Sequence, residues 1–166
     1  MPSTYQAPDG TSVGHIHLKV TDLERALKFY RDLLGFELTT MYGDQAAFLA
    51  AGGYHHHIGL NTWHSRGGAP APLSSPGLYH TAFLYPTRKD LAIILKRLID
   101  EGYPISGASD HGVSEAIYLQ DPDGNGVELY RDRPREEWEY TDDGSVKMVT
   151  EPLDLESLLK ELVHEK

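Results

Sequence analysis

Cysteine is absent from all 166 residues. That excludes a disulfide framework, a zinc–thiolate site, an iron–sulfur cluster and a thiol nucleophile. Long apolar runs are absent as well: nowhere do about 18 apolar residues follow one another, the length a membrane-spanning helix needs. Basic charge is in deficit, with 15 Lys and Arg against 25 Asp and Glu. The resulting net charge of -10 argues against nucleic acid or an anionic membrane surface as a partner. The N-terminus has no basic stretch followed by an apolar one, so no signal peptide is expected and the expected location is the cytoplasm. What the chain has in plenty is histidine, nine residues in all, several of them clustered. Imidazole and carboxylate are therefore the expected working groups, in a chain long enough for one domain with a real core.

Residues 1–12 are polar, carry Pro2, Pro8 and Gly10, and predict a loose N-terminal arm. From Val13 to Val20 the pattern alternates, with Ile16, Leu18 and Val20 on one face and His15, His17 and Lys19 on the other. That is a half-buried strand. Thr21 to Glu24 reads as a capping box, and Leu23, Leu27, Tyr30 and Leu34 give the following helix its apolar stripe up to Gly35. Strands are expected over 36–42, 46–50 and 55–62. Residues 64–77 have the composition of a linker.

Then the pattern restarts. A strand over 78–85 leads to a capping-box-like start at Thr87, a stripe of Leu91, Ile94, Leu95 and Leu98, a stop at Gly102, and strands around 103–108, 115–119 and 127–131. His80 lies 65 residues after His15, and Thr87 lies 66 after Thr21. Such an internal repeat fixes the architecture. The expected fold is α+β: two βαβββ modules, 13–63 and 78–131, forming two facing mixed sheets around a cleft with helices outside. Beyond them, residues 132–166 form an extension, irregular to about Glu151 and ending in a short amphipathic helix over 153–163.

Between residues 119 and 127, Asp121-Pro-Asp-Gly-Asn-Gly126 supplies a turn, and Glu128 follows in a strand whose neighbours Val127 and Leu129 point to the opposite face. A carboxylate in such a strand needs a positive partner. His15 and His80 open the first strands of the two modules, and Glu128 lies in the last strand of the second. The module-one counterpart of Glu128 is Gly59, which offers no side-chain ligand. Two histidines and one carboxylate with open positions suit a non-heme Fe(II) centre. His17 shares the face of His15 and is the rival for its place.

Gly14-His-Ile-His-Leu-Lys-Val-Thr-Asp22, Phe29-Tyr-Arg-Asp-Leu-Leu-Gly-Phe36, His80 and Asp121-Pro-Asp-Gly-Asn-Gly-Val-Glu128 resemble the vicinal oxygen chelate superfamily, which includes glyoxalase I, bleomycin-resistance proteins and extradiol ring-cleaving dioxygenases. The resemblance runs from about Val13 to Arg131. It implies metal ligands at His15, His80 and Glu128. Glyoxalase I adds a fourth ligand near position 59, so Gly59 disfavours that activity. Tyr118, ten residues before Glu128, and the His111-Gly112 pair resemble the catechol 2,3-dioxygenase branch. One of His55, His56 and His57 matches a histidine that branch uses as a base: lining up Ile58-Gly59-Leu60 with the family selects His56, whereas strict alternation with Gly59 selects His57 and His55.

The resemblance thus implies an Fe(II) extradiol dioxygenase, with Mn(II) as the alternative metal, that takes a small aromatic catechol and O2. In that reading His56 accepts a catechol proton, while Tyr118 and His111 hydrogen-bond substrate oxygen and deliver a proton. A homodimer is implied as well. The competing readings are a lyase or isomerase of the same superfamily and a ligand-sequestering protein without chemistry. Trp63, Tyr54 and Phe48 are candidates to line an aromatic pocket, or to be ordinary core. His64 and His164 are expected at the surface.

Overall fold

The repeat becomes two mixed sheets in the computed structural model, which describes residues 5–163. The first four residues of the arm and His164 lie outside the described residues. In the first module the order is β1 (Ile16–Lys19), α1 (Leu23–Leu27) running on into a π-helical segment (Lys28–Leu33), β2 (Glu37–Tyr42), β3 (Ala46–Ala50) and β4 (Ile58–Asn61). These strands make a sheet in the order β1-β4-β3-β2, with β1 parallel to β4. The second module repeats the plan with β5 (Thr81–Leu84), α2 (Arg88–Asp100), β6 (Gly107–Asp110), β7 (Ser114–Gln120) and β8 (Gly126–Asp132). Its sheet has the order β5-β8-β7-β6, with β5 parallel to β8, and gains a fifth strand from the extension. The α+β class read from the repeat is therefore the class observed. No helix among the described residues is long and apolar enough to cross a membrane.

Local chemistry explains most boundaries. Thr87 caps α2, its hydroxyl accepting from the Asp90 amide at 3.1 Å, and Gly102 ends that region with a left-handed φ of 63°. The first helix starts one residue later than the capping-box reading. Asp22 is the cap, accepting from the Arg25 amide at 2.9 Å, because the Thr21 hydroxyl is taken by Asp123 of the other module at 2.5 Å. The chain then widens, Leu34 N–H reaching back five residues to Phe29 C=O at 2.9 Å. Such π segments are rare inside helices and seldom occur without a tertiary reason. Here the fully buried Tyr30 sends its hydroxyl to Asp121 at 2.9 Å.

One core serves both modules, combining Leu18, Leu27 and Ile58 of the first with Leu91, Leu95, Ile117 and Leu129 of the second. The modules also touch through Phe29 on Tyr103, with ring centroids 5.2 Å apart, and Phe36 on Phe83 at 4.9 Å. Arg97 of α2 completes the joint by donating to the Leu33 and Asp32 carbonyls at 2.8 and 2.6 Å. Tyr103 was expected to begin a strand. Its ring instead fills the joint, its hydroxyl donates to Gln120 C=O at 2.8 Å, and β6 starts four residues later at Gly107.

The extension is less irregular than its composition suggests. After a short 3-10 turn (Arg135–Glu137) it returns as β9 (Glu151–Pro152) beside β6, then forms α3 (Leu155–Lys160) inside the expected span. Leu158 of α3 is fully buried. Arg88 holds the helix by donating to Ser157 C=O at 3.2 Å and Glu161 at 2.7 Å.

Asp121 is 4% exposed and accepts from Tyr30, the Asp123 and Asn125 amides and the Asn125 side chain. Tyr30→Phe removes one of these donors without changing shape much. It is expected to cost about 1–2 kcal/mol of stability, read as a lower midpoint of urea unfolding with an unchanged slope.

Candidate active site

Strand alternation decides which side chains share a face. In β8, Val127 and Leu129 enter the core while Glu128 turns the other way, paired across β7 with Tyr118 and across β5 with Ala82. His80, just ahead of β5, reaches the same place. Its Nε2 lies 2.8 Å from Glu128 Oε2. Tyr118 Oη lies 3.3 Å from the other carboxylate oxygen and 2.6 Å from His111 Nε2. Four of the residues singled out from the sequence therefore form one cluster. Glu128 is 9% exposed, and the partners the structure gives it are His80 and Tyr118. Burial first, and then the Glu128 carboxylate, push Tyr118 up to about 12, so it stays a hydroxyl donor at neutral pH.

The other candidates gather on the first sheet. The His15 ring sits 4.5 Å from that of His56, and His56 in turn 5.2 Å from Phe48. His55 and His56 bring their Nδ1 atoms to 2.7 Å, so the two rings adopt opposite proton assignments there. The three-histidine run precedes β4 rather than belonging to it. Of the three, His56 is the one whose ring meets His15. Burial, and then the neighbouring His15, hold His56 below the usual imidazole range; His17 is lowered by the same two causes. Tyr54 covers His55 and His57, with centroids 4.0 and 4.7 Å away, and Trp63 lies 5.6 Å from His17. Trp63 and Tyr54 are exposed and Phe48 half-buried, so these aromatics line a histidine-rich face and are not packed in the core.

The two clusters are not joined within the chain. Among the described residues, no three of His, Asp and Glu come together in a group that could hold a metal ion. The second cluster nevertheless has suitable donor types for one: an imidazole nitrogen and a carboxylate oxygen lie 2.8 Å apart, at hydrogen-bond distance from each other. His80 Nδ1 is buried and has no hydrogen-bond partner among the described residues. Tyr79, whose ring is 5.6 Å from that of His80, was missed by the sequence reading. So was the Val149 carbonyl, 2.8 Å from His111 Nδ1. A main-chain carbonyl leaves no signal in residue type.

Two βαβββ repeats, each presenting imidazole at the start of its first strand and one presenting a carboxylate in its last, define a class of paired-module α+β proteins. The chain belongs to the Glyoxalase/Bleomycin resistance protein/Dioxygenase superfamily, whose family model matches residues 12–129. It is 43% identical over 159 residues to a catechol-2,3-dioxygenase of Bacillus subtilis (strain 168), an alignment covering 95% of this chain and 54% of the relative. It is 33% identical over 132 residues to biphenyl-2,3-diol 1,2-dioxygenase 3 of Rhodococcus globerulus, covering 77% of this chain and 68% of that protein. The chain thus spans about half the length of the Bacillus relative. Among solved structures, a glyoxalase/dioxygenase from Nostoc punctiforme superposes with a TM-score of 0.64 at 19% identity, over 80% of this chain and 99% of the other. That likeness shows the fold.

Position 59 is crowded by the exposed His17 side chain. A Cβ on Gly59 would lie 2.9–3.0 Å from three atoms of the His17 ring, which faces it across the β1–β4 register. Gly59→Ala is therefore expected to destabilise the fold by about 1–3 kcal/mol. In a His17→Ala background the same change should cost much less, and a thermal-denaturation double-mutant cycle measures the difference.

Proposed function

We propose that this protein is an Fe(II)-dependent extradiol dioxygenase that opens a catechol-type ring with O2. His15, His80 and Glu128 hold the metal, with Mn(II) as the alternative ion. The observation that carries the reading is the convergence of His80 Nε2 and Glu128 Oε2 at 2.8 Å, with Tyr118 and His111 beside them. The 43% identity to a catechol-2,3-dioxygenase supports the choice of reaction. A glyoxalase-like lyase needs a fourth ligand near position 59, where the His17 ring fills the space.

His15 sits apart with His56, so we further assign its role to a homodimer: His15 and His56 of one copy face His80, Glu128, Tyr118 and His111 of the other. β1 and β5 are both edge strands of their sheets, and the exposed Tyr54 and Trp63 of the first module and Leu78, Tyr79 and Leu84 of the second offer apolar surface to such a contact. A two-fold axis makes two equal sites from this exchange.

Iron held by His15, His80 and Glu128 would supply Lewis acidity toward the catechol oxygens and the redox chemistry that engages O2. The protein's own residues do the rest. His56, held neutral by partial burial and its imidazole neighbours, takes a catechol proton. Tyr118 keeps its proton at neutral pH and, with that proton directed to His111 Nε2, turns its oxygen as an acceptor toward a substrate hydroxyl. The aromatic rings of Tyr54, Trp63 and Phe48 flank the ring to be cleaved. Breaking the carbon–carbon bond beside the two hydroxyl carbons takes both oxygen atoms into a hydroxymuconic semialdehyde-type product. No external reductant is consumed.

Anaerobic loading with Fe(II), followed by catechol and air, is expected to give a yellow product with one O2 consumed per catechol. Glu128→Ala is expected to lose bound iron on desalting, and full retention would remove Glu128 from the ligand set. Unfolding and refolding His15→Ala together with Glu128→Ala tests the exchange. Each variant alone is inactive, and random pairing should restore about a quarter of wild-type activity through one intact site in every mixed dimer. No recovery would return all three ligands to a single chain.

A further inference from the structure

Extending the site reading to the C-terminal extension, we propose that the main-chain carbonyl of Val149 is a positioning group that fixes the proton of His111 on Nδ1. Val149 lies beyond residues 12–129, the part matched to the family. Its carbonyl oxygen is 2.8 Å from His111 Nδ1. A carbonyl only accepts, so Nδ1 carries the hydrogen; a neutral imidazole has one N–H, so Nε2 is left as a bare acceptor. The group facing Nε2 is Tyr118 Oη at 2.6 Å. Tyr118 has a single proton, and the short contact to His111 takes it in preference to the 3.3 Å contact to Glu128. The Tyr118 proton is therefore not directed at the Glu128 carboxylate. The opposite tautomer would point an N–H at Tyr118 and turn the hydroxyl proton onto the carboxylate.

The carbonyl is held where it acts. Val149 N–H donates to His111 C=O at 3.1 Å, so the two residues are bonded twice. Two residues on, Glu151 and Pro152 pair with Asp110 and Ser109 of β6. Leu153 N–H continues toward Ala108 C=O at 3.4 Å. The strap is thus a sheet edge that ends against the imidazole, and the site reads its position through one proton. The use of this tautomer in turnover rests on the dioxygenase reading; the tautomer itself does not.

Long-range proton–nitrogen NMR on the full chain with 15N-labelled histidine, His111 being assigned by its loss in His111→Gln, reads the tautomer directly. At pH 8 the wild type is expected to show His111 as the Nδ1–H form, and finding the Nε2–H form would overturn the proposal whatever the variants do. Val149→Ala keeps the main chain and should keep the tautomer. Val149→Pro removes the N–H that anchors the strap and is expected to lose the Nδ1–H form. A folded Val149→Pro with an unchanged tautomer would also overturn it. In the iron-loaded protein Val149→Pro should lower kcat on the order of tenfold, as when an orienting partner of a functional histidine is lost. Should the wild type cleave no catechol, the dioxygenase reading fails while the NMR result still decides the tautomer.

Discussion

Asp121, buried in the turn between β7 and β8, ties that turn to the first module. One of its oxygens accepts two amides of its own turn, which sets the hairpin register that puts Tyr118 opposite Glu128. The other accepts the Tyr30 hydroxyl from the first module. Asp123, two residues on, accepts from Thr21 and Arg25 of that same module. A buried carboxylate is tolerable only when its lone pairs are filled, and these are filled from both sides of the module boundary. Register within the site and docking between the modules thus share one anchor.

Much of this was legible in the chain. Alternation around His15 and Glu128 and the restart of the repeat at His80 located the strands, and the threonine ahead of α2 and the glycine behind it located that helix. What could not be read were features decided by distant partners. Thr21 looked like a cap and serves instead as a donor across the module boundary, since nothing local tells a hydroxyl which carboxylate it will meet. Tyr103 had the look of a strand residue and became part of the joint. Asp121 read as a turn former, which it is, with no hint of its bond to Tyr30. His80 and Glu128 followed from repeat positions, and Tyr118 and His111 only from the family resemblance. The separate grouping of His15 with His56 did not, because a repeat fixes where residues sit in each module and leaves open how the modules, or copies, are brought together.

The extension illustrates a second kind of hidden information. Glu115, 3% exposed, is surrounded by Arg88 and Arg131 at 2.9 and 2.8 Å and by Arg133 at 3.3 Å. Arg133 also pairs with Asp110. Through Arg88 the same network reaches α3. Arginine suits such sites because its planar fork serves several acceptors at once. The charges nearly balance, so the cluster is a clamp that seats the extension and not a binding patch for anions. By seating α3 it also fixes the path of residues 149–153, which is how a polar segment of unremarkable composition comes to lie against His111.

The crowded space over Gly59 bears on how such a site could change through descent. Adding a carboxylate there in one step would bring its first carbon against the His17 imidazole, so the ring would have to turn aside first. Trimming His17 beforehand opens the way but strips a neighbour from Phe48 and Trp63. The three-ligand pattern is in this sense guarded by packing, and the order in which mutations arrive would decide whether this strand ever gains another metal-binding arm.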